Sequence, residues 1–259
     1  TALMAFVCAL MLVAARRRPS LAVMLPVVVS FFLAAAVSLG YRYGLTEPAF
    51  TLLIPPLITF LPGMTLTVSV IELAYNSIIS GASRMVAGFT RLILLAFGIL
   101  GGFKVFEHGA WHLSQSMDDR IAPWWPWFGV LMFTFGLHIY QSSKRRSFVF
   151  MLITAAMAYV GQTLSGLVIE GASTAFFGAA LMTITALVIE FRFKGPPAIV
   201  TFLPGFWLLA PGSFGLVSLA GMASGVDTGA QVMTLLFSLS GIATGCLIGA
   251  KRVNTCAPV

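Results

Sequence analysis

The chain has 259 residues, of which 59% are hydrophobic and only 9% charged, and its formal net charge is +7. An ordinary soluble domain carries roughly 25% charged residues, so the composition excludes a soluble globular fold and makes lipid the solvent for most of the length. The basic residues sit in short clusters between apolar runs, as topology signals do, and no basic face with interleaved aromatics suggests a nucleic-acid partner.

A bilayer-crossing helix needs about 20 apolar residues. Nine segments approach that length, at about 1–15, 21–43, 48–70, 84–103, 124–141, 147–168, 171–191, 196–220 and 228–250. The predicted fold is therefore all-α, a polytopic transmembrane helical bundle. The first segment is apolar from Thr1 onward and is followed by Arg16-Arg17-Arg18. A signal peptide has its basic end first, so this run reads as a truncated span whose upstream part is missing. With the Arg16–Arg18 loop in the cytoplasm, eleven lysines and arginines fall on cytoplasmic ends and three outside, a bias that agrees with all nine spans.

The third segment contains Pro55-Pro56-Leu57-Ile58-Thr59-Phe60-Leu61-Pro62-Gly63. Prolines remove helix hydrogen bonds and glycine loosens the backbone, so a break inside the bilayer is expected here. After it, Thr65, Ser69, Glu72, Asn76 and Ser80 recur at spacings of 4, 3, 4 and 4, which predicts one polar helix face. Arg84, Gly88 and Arg91 form a similar stripe on the next span, and Glu72 could pair with either arginine. Gly98 and Gly102 end that span with a small-xxx-small step.

Residues 104–123 read as an extracytoplasmic loop that separates a first half, 1–103, from a second, 124–259. Within it, His108 and His112 have helical metal-ligand spacing but no third ligand, so no metal and no cofactor are expected. Trp124-Trp125-Pro126-Trp127 reads as an interfacial anchor. His138 lies alone in a span, where it could carry a proton or bond a carbonyl. Glu170 and Glu190 sit at segment ends, from which snorkelling to water is the expectation.

The eighth segment repeats the third. Residues 196–205 read Pro196-Pro197-Ala198-Ile199-Val200-Thr201-Phe202-Leu203-Pro204-Gly205, so Thr-Phe-Leu-Pro-Gly occurs twice. Pro211-Gly212 offers an alternative partner for Pro62-Gly63. Pro196, Pro197, Pro204, Gly205, Pro211 and Gly212 predict a more severe break than the first. Backbone groups freed by such breaks must face protein or a polar cavity, and half-helix N-termini attract carboxylates. The last span carries Gly241, Gly245 and Gly249, a face suited to bundle packing or a homo-oligomer contact. Cys8, Cys246 and Cys256 form no disulfide or zinc pattern. Without a nucleophile motif or phosphate loop, no enzyme is expected.

Ile58-Thr59-Phe60-Leu61-Pro62-Gly63-Met64-Thr65-Leu66-Thr67, followed by Ser80-Gly81-Ala82-Ser83-Arg84 and a glycine-ended span, resembles the first-half signature of the threonine/serine exporter family. Arg192-Phe193-Lys194-Gly195-Pro196-Pro197-Ala198-Ile199-Val200, then Leu209-Ala210-Pro211-Gly212, resembles its second-half signature. The resemblance implies the C-terminal membrane portion of a bacterial inner-membrane protein with five plus five spans, which exports threonine and serine by the proton motive force. On that basis backbone N–H groups near Gly63 and Gly212 are expected to hold the substrate carboxylate. Pro62, Pro204, Gly205 and Pro211 would shape the breaks. Thr65, Thr67 and Ser213 would contact hydroxyl or amine. Glu72, with Arg84 and Arg91, would supply proton coupling or charge pairing. The alternatives are a dicarboxylate exporter of the same fold and a non-transporting subunit of a membrane complex.

Overall fold

The computed structural model describes residues 6, 8–11, 19–44, 52–105, 124–167, 174–209, 216 and 229–256. Among them the regular elements are helices: α1 Pro19–Arg42, α2 Ile54–Leu57, α3 Gly63–Ala74, α4 Ile78–Lys104, α5 Trp125–Tyr140, α6 Ser147–Gly166, α7 Thr174–Phe193, α8 Ala198–Leu209 and α9 Gly229–Cys256. Five are long and apolar enough to cross a membrane: Met24–Arg42 of α1, then α4, α6 and α7, and Met233–Lys251 of α9. Large apolar side chains such as Ile93 and Phe97 point outward from α4, as lipid-facing residues do. The chain is a multi-pass helical membrane protein.

The expected spans at 48–70 and 196–220 resolve differently. The first is the single turn α2, an irregular stretch and the twelve-residue α3. The second contains the twelve-residue α8, while its remainder lies outside the described residues. So do most of the 1–15 run, His108, His112, Glu170, Pro211, Gly212 and Ser213.

The chain forms two compact units, each drawing on both halves of the sequence. Unit 1 comprises Thr1–Gly63, Met85–Met117 and Gly212–Met233; unit 2 comprises Met64–Arg84, Asp118–Pro211 and Thr234–Val259. In unit 1, α1 buries Val29, Leu33, Ala34 and Val37, and α4 buries Leu92, Leu95 and Ile99. Gly98 of α4 lies against Ser30 Oγ and Val27 O of α1, and Gly102 against Phe31 O and Ala34 Cβ. Between lipid-bathed helices the driving force is this close van der Waals fit rather than escape from water.

In unit 2, α6, α7 and α8 pack on one another around Ala158, Ala179, Met182, Phe206 and Leu209, joined by Ile242 and Cys246 of α9. A Cβ on Gly161 would stand 2.8 Å from Phe177 O and 2.9 Å from Gly178 Cα, so α6 and α7 touch backbone to backbone. Gly245 of α9 lies against Phe176 O and Ala179 Cβ of α7, and Gly249 against Ala180 O and Thr183.

The two glycine contacts are copies of one arrangement. Gly102 meets the carbonyl of Phe31, the Cβ of Ala34 and the amide of Ala35; Gly245 meets the same three atoms of Phe176, Ala179 and Ala180. In both units the helices concerned run parallel, because contacts advance together along both chains. Phe31-Phe32 and Phe176-Phe177 also repeat an edge-to-face ring pair, with centroids 5.6 and 5.0 Å apart. These correspondences and the Thr-Phe-Leu-Pro-Gly pair keep one sequence offset to within a helical turn. These offsets pair Pro62 with Pro204 more closely than with Pro211.

The polar stripe from Thr65 to Ser80 is not one helix face. α3 stops at Ala74, and Asn76 turns left-handed at φ 61°. Ser77 N–H donates to Glu72 O at 2.9 Å and Asn76 N–H to Leu73 O at 3.0 Å, the paired bonds of a helix-terminating hook. Asn tolerates this conformation better than most residues. The chain then reverses into α4, which starts six residues before the expected span and carries Ser80 and Arg84.

Candidate functional site

The first break is built by its prolines. Pro55 and Pro56 occupy the start of α2, where no amide is needed. Phe60 N–H then donates to Leu57 O at 2.9 Å and Leu61 N–H to Ile58 O at 3.3 Å, so the helix tightens and ends. Pro62 follows, disfavouring helix at Leu61, and α3 starts at Gly63. The Pro56 carbonyl, left without an intrahelical donor, accepts a hydrogen bond from Cys8 Sγ at 3.2 Å. This buried thiol is a structural partner that its lone position in the sequence did not reveal.

Pro62 and Gly63 are buried, Thr65 is half-buried and Thr67 is 2% exposed. Met64 and Ile71, about one turn before and one turn after Thr67 on the same face, pack against the core cluster of unit 2. Other helical threonines, including Thr90, Thr134, Thr154, Thr183 and Thr185, turn their hydroxyls back to the carbonyl four residues earlier at 2.7–3.0 Å. Thr67 does not: its Oγ1 is buried without a hydrogen-bond partner among the described residues. A buried, unpaired hydroxyl costs about 1–3 kcal/mol, a penalty that a polar ligand would relieve.

At the far end of α3, Arg84 Nε donates to Glu72 Oε1 at 2.9 Å and Oε2 at 3.1 Å, and Ser80 Oγ donates to Oε2 at 2.7 Å. The Glu72 side chain is 22% exposed and that of Arg84 51%. A Cβ on Gly81 would lie 2.7 Å from Leu73 Cγ and 2.9 Å from Ser69 O. Gly81 therefore lets α4 start close against α3, which brings Ser80 and Arg84 to the carboxylate. Arg91 is exposed further along α4, with no ion-pair partner among the described residues.

The second copy behaves otherwise. Pro204 lies inside α8 without ending it, so the expected break does not fall at this proline, while Pro196 and Pro197 lie in the break before α8 and Pro211 and Gly212 lie outside the described residues. Gly205 is buried in unit 2, where a Cβ would stand 2.8 Å from Met182 Sδ and 3.3 Å from Thr154 O. The start of α8 is capped: Glu190 Oε2 accepts the Ala198 N–H at 3.0 Å. Glu190 is therefore a half-buried capping group rather than a side chain snorkelling to water. His138 is held by Ser143 Oγ, 2.6 Å from its Nδ1. Trp124 and Trp125 stack, with centroids 4.7 Å apart, and stay exposed.

Residues 1–106 match the family described as "Putative threonine/serine exporter". Over those residues the chain is similar to this family. The match falls on the N-terminal part of the chain and covers the first Pro-Gly break, α3, the Glu72–Arg84 pair and α4. An uncharacterized protein of Schizosaccharomyces pombe is 26% identical to this chain over 81% of the chain's length. The "Pheromone-regulated membrane protein 10" of Candida albicans is 24% identical over 66%. The chain spans only 26% and 16% of the lengths of these two fungal proteins. No solved structure matches it.

Proposed function

We propose that the chain is the membrane part of an exporter of small hydroxy amino acids, threonine and serine, driven by the proton motive force. The substrate carboxylate is received at the start of α3, where the Gly63 end of the helix offers free amides and a positive dipole end. Thr65 and Thr67 take the substrate hydroxyl or amine. Glu72 is the proton-coupled carboxylate: protonating it would release Arg84 and change the charge beside α3. Arg91 is the second cation of this set. Pro204 and Gly205 shape the second repeat, and Pro211, Gly212 and Ser213 enter on their sequence alone.

The observation that carries this reading is Thr67, a hydroxyl buried without a partner just inside a break that the exporter family match covers. The cluster of basic residues on one side of the membrane supports an inner-membrane setting with those ends in the cytoplasm. A bacterial origin rests on the resemblance alone, since the relatives above are fungal. The test is efflux of labelled threonine from cells expressing Thr67→Val. The isosteric change removes the hydroxyl and spares the packing. Export should fall at least about tenfold, because a site built to bond a hydroxyl or amine loses discrimination without its partner. A wild-type rate would remove Thr67 from the site.

A further inference from the structure

Unit 2 contains a cavity of about 720 Å³ between the α5–α6 and α7–α8 connections. Its charged lining is Lys144, Arg146 and Lys194, and none of the three has an ion-pair partner among the described residues. Glu190, the carboxylate of the adjoining helix end, is committed to the Ala198 amide. Gln141 also lines the cavity, and its Nε2 is buried with no hydrogen-bond partner among the described residues. Ser147 contributes the first residue of α6; its N–H donates to Lys144 O at 2.8 Å and the Phe148 N–H to Arg145 O at 3.3 Å, so the helix offers this wall its positive dipole end rather than free first amides.

The backbone holds these groups in place. Ser142 is left-handed at φ 49° and closes α5, with Ser143 N–H donating to His138 O at 3.3 Å and Ser142 N–H to Ile139 O at 3.0 Å. Lys194 is left-handed at φ 47°, and Gly195 N–H donates to Ile189 O at 2.9 Å. A Cβ on Gly195 would stand 2.6 Å from Ile189 Cγ2, so only glycine lets the turn close this tightly.

We propose that this cavity binds a phosphate group carried by an anionic molecule. Three cations and an unpartnered amide donor, beside the positive dipole end of α6, outnumber the two oxygens of a carboxylate and suit the several oxygens of a phosphate. The volume leaves room for whatever the phosphate carries. Because the cavity lies at the ends of membrane-crossing helices, the phosphate could belong to an acidic phospholipid headgroup or to a soluble ion, the chemistry being the same. The site stands apart from the start of α3 and does not depend on the export reading.

The test uses the full chain in nanodiscs and compares wild type with the Lys144→Gln/Arg146→Gln/Lys194→Gln variant. A Lys251→Gln variant controls for loss of charge elsewhere, and Gln141→Leu removes only the buried amide. One arm counts retained phosphatidylglycerol by native mass spectrometry after mixing with phosphatidylcholine. The other titrates inorganic phosphate in pure phosphatidylcholine discs and reads the thermal midpoint. Binding in either arm should weaken about tenfold or more in the triple variant and measurably in Gln141→Leu, but not in Lys251→Gln. Loss in the first arm assigns the site to lipid, and loss in the second to a soluble phosphate. The proposal is overturned if wild type and triple variant bind alike in both arms, or if Lys251→Gln weakens binding as much as the triple change.

Discussion

The same five residues, Thr-Phe-Leu-Pro-Gly, take two conformations in this chain. At 59–63 they form a turn and the first residue of α3. At 201–205 they lie in the middle of α8. Proline inside a helix costs about 3 kcal/mol, so a local rule would favour the first outcome at both places. What differs is the surroundings. The second copy begins behind a capping carboxylate, Glu190, and its Thr201, Pro204, Gly205, Phe206 and Leu209 are buried against α6 and α7. The first copy follows a one-turn helix that its own prolines end. Packing around α8 offsets the proline penalty; around the first copy the break persists and leaves a hydroxyl unpaired.

Five substitutions would break or sharpen this contrast. The largest effect is expected from Gly205→Leu. The added side chain must displace Met182 and Thr154 O, which should cost about 3 kcal/mol or more in a detergent unfolding assay; a mild effect would mean that α8 is not packed as described. Gly102→Val and Gly245→Val should each cost about 2–3 kcal/mol, and by similar amounts, since the two glycines face the same three atoms in equivalent helices. Unequal losses would count against the repeat register. Glu190→Ala should cost about 1–2 kcal/mol by uncapping α8, read in the same assay, and would show that the cap helps separate the second copy from the first. Smallest is Arg84→Gln. Its pair with Glu72 is half-exposed on the arginine side, so stability should change by about 1 kcal/mol or less, whatever happens to transport.

Much of the architecture was legible in the sequence. Apolar run lengths gave the helices, and paired prolines located the first break. Glycines at four-residue spacing marked the faces of α4 and α9 that meet α1 and α7 inside the chain. The end of α3 was not legible, because a stripe ending in Asn76 and Ser80 has helical spacing and the left-handed turn at Asn76 leaves no mark on periodicity. Pro204 was misjudged because its penalty is local and its compensation lies in other segments. The Phe-Phe and Ala-Ala echo between α1 and α7 was present in the sequence, and it becomes decisive only beside the glycine contacts. The basic run at 144–146 served as a topology signal, and its convergence with Lys194 emerges only from the fold.

The most direct measurement is threonine efflux by Thr67→Val alongside its unfolding midpoint. Removing a buried, unpaired hydroxyl should leave stability unchanged or slightly higher, while export falls at least about tenfold. Wild-type export in a chain of unchanged stability would contradict the placement of the substrate at the start of α3.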